Sequence, residues 1–151
     1  MKISTSVEIH STPEVVFGWL SRPEKAMEWM TSVSKTEMLD EKPGMVGSTF
    51  RELVQDESGS MEMRGTVTAY QPPRSISFHL ASRVNALDVT YCVEPIPGGV
   101  RVAEEADVQW KFPVSAYALL FGERLKQGVL AQLQDEFSKL KALCEQPVSQ
   151  S

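Results

Sequence analysis

The sequence predicts an α+β domain in which a curved antiparallel sheet of six to seven strands wraps one long C-terminal helix, with two short helices after the first strand. Three observations predict it. Six segments between residues 33 and 110 alternate apolar and polar side chains and are joined by short turns, the pattern of a meander. One apolar stripe at helical spacing then runs from Phe121 to Leu140. An isolated alternating segment opens the chain and is followed by a helical stretch restarted by a proline.

Taken in order, Ile3, Thr5, Val7 and Ile9 fall on one side of a half-buried first strand, with Lys2, Ser4, Ser6, Glu8 and His10 on the other. Ser11 or Thr12 then offers an N-cap, Pro13 suits the first helical turn, and Glu14 is spaced to complete a capping box with Ser11. Val16, Phe17 and Leu20 form the apolar stripe of this short helix. Pro23 restarts a second one, with Met27 and Met30 on one side and Trp29 near its end. The two helices close one end of the sheet, with Phe17, Leu20 and Met27 as floor and Trp29 as a lip. Strands follow at Val33 to Leu39, Ser48 to Gln55 and Met61 to Tyr70, separated by Glu41-Lys42-Pro43-Gly44 and Asp56-Glu57-Ser58-Gly59. Ile76, Phe78 and Leu80 mark the next strand, Leu87, Val89, Tyr91 and Val93 another. Val100, Val102, Ala106, Val108 and Trp110 mark the last, with Glu104 in their phase. Pro113 opens a helical stretch to about Cys144, carrying Phe121, Leu125, Val129, Leu133, Phe137 and Leu140 as one stripe. Its roughly 30 residues would span about 45 Å. Gly122 and Gly128 inside it each cost up to about 1 kcal/mol against Ala, which points to a kink, a close approach or space left open.

The bulk properties narrow the function. A chain of 151 residues suits one domain, here 1–146, with 147–151 reading as a disordered polar tail. The net charge of −5 and the scattered Lys and Arg argue against nucleic acid, which needs a concentrated basic face. No apolar run approaches the roughly 20 residues of a membrane helix. The start, MKISTSVEIH, lacks the apolar core of a secretory signal, so a cytoplasmic location is expected. Cys92 and Cys144 then read as reduced thiols rather than a disulfide. Two His and two Cys without ligand spacing give no metal motif, and neither a G-x-S-x-G elbow, a G-x-G-x-x-G nor a P-loop is present. No cofactor is expected, and oligomeric state is not read from the sequence.

Six or seven twisted strands curl, and only the long helix has a stripe able to cover their concave face. A straight helix in a curved sheet touches it along a line and leaves a gap beside it. The expected product is an internal cavity, the usual form of a small-molecule site.

The stretches "SVEIHSTPEVVFGWLSRPEKAMEWM", "PGMVGSTF", "VTAYQPPRSISF", "VEPIPGGVRVAEEADVQ" and "LQDEFSKLKALCE" occur in an order that resembles the START-like superfamily, also called SRPBCC, and most closely its polyketide cyclase/dehydrase branch. The resemblance spans residues 3 to 146 and implies the helix-grip fold and a ligand-holding cavity. One departure is Gly99-Val100-Arg101-Val102, where the family often has Gly-Thr-Arg-Val; it removes a hydroxyl beside a turn. The resemblance implies no single reaction, because the superfamily includes lipid carriers, hormone receptors, cyclases and co-chaperones.

Glu104 is the polar residue of most interest. Facing inward, it reads as a general acid or base or as an anchor for a ligand hydroxyl or amine. It reads equally as half of an ion pair with Arg51 or Arg64, or as a residue turned outward by a bulge. Phe78, Tyr91 and Trp110 share the inward phase and read as cavity wall or plain core. Met27, Met30, Met61 and Met63 read as adaptable lining or as gap filler. The full set expected to face a ligand is Phe17, Trp29, Phe50, Met63, Phe78, Tyr91, Glu104, Trp110, Phe121, Leu125 and Leu133. His10 and His79 fall on the outer phase. The leading expectation is a binding protein for a small hydrophobic ligand such as a lipid, an isoprenoid or a polyketide-like aromatic. A cyclase or dehydratase using Glu104, with Tyr91 or Arg51, is the second reading. A co-chaperone-like interaction module is the third, and it requires a surface apolar patch that the polar outer phases do not supply.

Overall fold

In the computed structural model, which describes residues 1–56 and 59–146, seven strands form one antiparallel sheet in the order β1-β7-β6-β5-β4-β3-β2. The strands are β1 (Lys2–Ile9), β2 (Val33–Asp40), β3 (Thr49–Asp56), β4 (Gly59–Gln71), β5 (Ser75–Ala81), β6 (Asn85–Ile96) and β7 (Gly99–Trp110). Short connections make β2 to β7 a meander. β1, separated from β2 by helices, returns to pair with β7 from Lys2 opposite Asp107 to Ile9 opposite Val100. The expected tail at 147–151, and the middle of the expected 56–59 turn, lie outside the described residues.

The helices are α1 (Pro13–Leu20), a 3-10 turn at Pro23–Lys25 running into α2 (Ala26–Trp29), and α3 (Val114–Glu145). Thr12 is the N-cap of α1: its Oγ1 accepts from the Val15 backbone N–H at 3.3 Å. Between the two N-cap candidates the chain thus selects Thr12, and the Ser11–Glu14 box is not used.

The sheet curls for local reasons. The β2–β3 register slips between Val33 and Lys35 and between Met38 and Asp40, and the β4–β5 register slips between Val67 and Ala69. Such bulges bend a strand and sharpen its twist. Gly65 on β4 stands opposite Phe50 on β3, and the Phe50 ring lies where a side chain at 65 would be. The core fills the concave side: Ile9, Val16, Val67, Ile76, Val100, Val102 and Leu140 have no exposed surface.

The long helix departs from the uniform stripe that its sequence suggests. Phe121 has non-helical dihedrals (φ −128°, ψ 29°) and marks a kink beside Gly122. A Cβ at Gly122 or Gly128 would meet nothing within 4 Å, so neither glycine serves a close approach. Only the C-terminal part of α3 is buried, through Glu136, Phe137, Leu140 and Cys144. Its end is tied to β1, where Lys141 Nζ donates to the Glu8 carbonyl at 3.0 Å and the His10 backbone N–H donates to Glu145 Oε2 at 2.7 Å. Both cysteines are free, Cys92 exposed and Cys144 buried. No helix among the described residues is long and apolar enough to cross a membrane.

Candidate functional site

Between the concave face of the sheet, α1, α2 and the C-terminal part of α3 lies a cavity of about 260 Å³. An apolar cavity of about 150 Å³ already accepts benzene, and small-molecule sites commonly begin near 300 Å³, so this one suits a ligand of one or two fused rings. Period-two alternation places its walls. β3 supplies Phe50, Glu52 and Val54, β4 Met61 and Met63, and β5 Phe78 and Leu80. Leu87, Val89 and Tyr91 come from β6 and Glu104 from β7. Leu20, Ala26, Trp29 and Met30 close it from the short helices, and Gln132, Leu133 and Glu136 from α3.

Aromatic rings give the wall its rigidity. Phe50 and Phe78 meet edge-on at 5.6 Å, Phe78 and Tyr91 at 6.3 Å, and Trp29 and Tyr91 at 6.1 Å. These spacings fall within the favourable range for T-shaped pairs.

Three carboxyl groups enter this largely apolar space from three elements. Glu104 is 4% exposed, Glu136 5% and Glu52 8%. Glu104 stands directly opposite Tyr91 in the β6–β7 ladder. Its pKa is pushed up to about 8, first by burial and then by the charge of Glu136, with the Tyr91 hydroxyl pulling the other way. Glu52 is pushed up to about 7 by burial and then by Glu136. Among the described residues it has neither a hydrogen bond nor an ion pair. Glu136 accepts from the Thr31 backbone N–H at 2.9 Å, the Thr31 hydroxyl at 3.2 Å and Gln132 Nε2 at 3.4 Å. Burial still raises its pKa, against those bonds. The Tyr91 phenol is raised well above its ordinary value by burial and then by the Glu104, Glu136 and Glu52 charges, so it stays a proton donor. No group of three metal-ligating side chains among the described residues is close enough to hold a metal ion.

The two structural alternatives weighed for Glu104 do not occur. No bulge interrupts β7 opposite Tyr91. Arg51 lies on the outer face with Glu37 at 3.3 Å and Glu62 at 3.9 Å, and Arg64 meets Glu62 at 3.0 Å. Among the described residues, the one guanidinium at the cavity is Arg22, at its rim and 3.5 Å from Glu24.

Of the residues expected to face a ligand, Trp29, Phe50, Met63, Phe78, Tyr91, Glu104 and Leu133 line the cavity. The other four lie elsewhere. Phe17 is buried behind the lining against Tyr70, with ring centroids 5.7 Å apart. Trp110, at the far end of β7, is half-buried outside it. Leu125 is half-buried, and Phe121, where α3 kinks, is 46% exposed. Trp29 is no lip: it is 2% exposed and forms inner wall, whereas Met27, expected on the floor, is 46% exposed. His10 and His79 are outer-face residues; His79 Nδ1 pairs with Asp88 at 2.8 Å.

Glu52 and Glu136 were not singled out from the sequence, though both carry a readable signal. Glu52 alternates with Phe50 and Val54. Glu136 falls between Leu133, Phe137 and Leu140 on the apolar stripe. An apolar surface patch also exists away from the polar outer strand phases: Phe112, Leu119 and Leu120 are 82%, 89% and 79% exposed at the start of α3.

The family model described as "Polyketide cyclase / dehydrase and lipid transport" matches residues 1–145. Among solved structures, a START superfamily protein from Mycobacterium smegmatis superposes with a TM-score of 0.81 at 18% identity, covering 95% of this chain and 97% of that one. A Thermus thermophilus protein gives 0.80 at 12% identity, with 94% and 95% covered. The di-domain ARO/CYC StfQ from the steffimycin biosynthetic pathway gives 0.78 at 14% identity, with 95% of this chain and 50% of that one covered. These likenesses are of fold. No curated protein matches the chain.

Proposed function

We propose that this chain, which belongs to the polyketide cyclase/dehydrase and lipid transport family, binds a small and largely apolar molecule in the cavity between its sheet and the C-terminal part of α3. The observation that carries this reading is the cavity itself. About 260 Å³ is kept open in an otherwise close-packed core, walled by interlocked aromatic rings and adaptable Met side chains. Apolar side chains that line an open space forgo packing contacts that a filled core would give them. The volume suits a compact ring system or a short chain rather than a long diacyl lipid. Native mass spectrometry of the purified protein, set against its denatured mass, should reveal a bound small molecule. Titration with naphthylethanol, followed by quenching of Trp29, should saturate. Leu133→Trp, which fills the cavity, should abolish the quenching. A protein that purifies empty and leaves the probe unbound would sink the reading.

A second reading, a cyclase or dehydratase acting in the same cavity, is favoured by Tyr91 and Glu104, which line it side by side on facing strands. A carboxyl with a pKa near 8 is mostly protonated at neutral pH. It would serve as a general acid, giving its proton to a departing hydroxyl that leaves as water, and its carboxylate would take the proton lost from the neighbouring carbon as the double bond forms. The walls would fold a flexible chain into a reactive conformation, which is where much of such catalysis lies. Turnover of an identified substrate that survives Glu104→Gln would exclude this role.

A further inference from the structure

The cavity holds three carboxyl groups, and the cation at its rim among the described residues, Arg22, is paired with Glu24. Glu52 from β3, Glu104 from β7 and Glu136 from α3 converge on one space from separate parts of the chain. Glu136 is satisfied by Thr31 and Gln132, and Glu104 faces Tyr91 across the β6–β7 ladder. Glu52, more than nine-tenths buried, faces the cavity with no partner among the described residues. One carboxyl would be enough to anchor a neutral hydroxyl. Three acidic groups facing a common void are complementary to positive charge, and buried charges persist where they are paired.

We propose that the ligand carries a protonated amine on a compact apolar body, with the amine seated among Glu52, Glu104 and Glu136 and the body against the aromatic wall. This rests on the cavity reading above and names its ligand class. Glu52 supplies the unpartnered acceptor for an ammonium, and the charges of Glu104 and Glu136 in the same cavity add to the attraction. Phe50, Phe78 and Tyr91 offer ring faces and edges to the apolar part.

The proposal fixes the direction of pH dependence. The groups facing the amine seat are Glu52 on β3, Tyr91 on β6, Glu104 on β7 and Glu136 on α3. Asp135 adjoins Glu136 in sequence, and Arg22 stands at the rim. Tyr91 stays protonated throughout. In the empty protein Glu52 and Glu104 lose their protons near pH 7 and 8, whereas an alkyl amine stays charged to about pH 10. Binding therefore strengthens as pH rises from 6 to about 8.5, and at neutral pH it expels protons.

The test compares naphthylethylamine with naphthylethanol, two probes of one shape, by calorimetric titration at pH 6 and pH 8.5. The wild-type protein is set against Glu52→Gln, Glu104→Gln and the double variant. We expect the amine to bind at least about tenfold tighter than the alcohol at pH 8.5, with a smaller margin at pH 6 and proton release in buffers of differing ionisation enthalpy. Each single Gln variant should narrow the preference, and the double variant should remove most of it. Equal binding of the two probes, or an amine preference that survives the double variant, overturns the amine seat and leaves the cavity reading standing. Failure of both probes overturns both. Gln keeps the shape of Glu and removes a buried charge, so the variants should fold; should the double variant not fold, the two singles decide alone.

Discussion

Tyr91 and Glu104 stand directly opposite each other on β6 and β7, and the phenol is the one group that counters the upward drift of the Glu104 pKa. Burial and the charge of Glu136 both favour the neutral acid; the Tyr91 hydroxyl favours the anion. Tyr91→Phe removes only that hydroxyl and keeps the ring against Trp29 and Phe78. The variant should move the Glu104 titration to higher pH than wild type, as read by carbon NMR of labelled carboxyl groups. A midpoint that stays put or falls would mean that the phenol does not govern Glu104.

The same carboxyls make the empty fold an acid-loving one. Their pKa values in the folded protein, about 7 for Glu52 and about 8 for Glu104, lie above the ordinary value of 4.5 that the unfolded chain restores. Between those limits the folded state holds more protons than the unfolded state, so stability falls as pH rises. The contribution is complete below about pH 4.5 and is lost as pH passes through 7 and 8. Denaturant unfolding at pH 6 and pH 9 should differ by an amount on the order of a few kcal/mol, with the higher pH less stable. Glu52→Gln combined with Glu104→Gln should flatten this dependence. A stability that rises from pH 6 to 9 would contradict the burial of these groups.

Much of this site is legible in strand phase alone, because period two assigns a side to every residue once one residue is placed. Glu104, Tyr91 and Phe78 are read that way from their apolar neighbours. Glu52 obeys the same rule between Phe50 and Val54, but a charged residue in a short strand carries no weight until the strand's inner face is known. The kink at Phe121 is less accessible. Gly122 hints at it, yet whether a helix keeps to its stripe depends on how far the curled sheet extends beneath it. α3 packs on β1 and β7, and where that support ends along the helix leaves no mark in the hydrophobic pattern. Trp29 turns inward because the 3-10 turn at Pro23–Lys25 sets the direction of α2, a tertiary effect no spacing reveals.

Gly65 and Phe50 give the cavity its shape at one wall. A methyl group at position 65 would collide with the Phe50 ring, which is 2% exposed and has Phe78 on another side. The ring then has one free direction, into the cavity. Gly65→Ala should destabilise the fold by about 1–3 kcal/mol, as overpacking does, and should also weaken binding of naphthylethanol. Denaturant melting and the probe titration read the two effects separately. An alanine variant of wild-type stability and affinity would show that Phe50 does not depend on the bare backbone beneath it.

Finally, the two ends of α3 should respond oppositely to substitution. Leu140 has no exposed surface, and it packs in the cluster that includes Phe137, Cys144 and the sheet. Leu140→Ala removes three buried carbons where the surroundings cannot fully collapse, and should cost about 2–5 kcal/mol. Leu119 lies before the kink and is 89% exposed. Leu119→Ser removes almost no buried area, and stability should stay within about 0.5 kcal/mol of wild type. Chemical denaturation of the two variants side by side measures the contrast. If Leu119→Ser were as damaging as Leu140→Ala, the N-terminal turns of α3 would have to be packed in solution, and the stripe from Phe121 to Leu140 would be continuous after all. If only Leu140→Ala is damaging, the C-terminal part of the helix alone closes the cavity, and residues before Phe121 can be changed without disturbing what it holds.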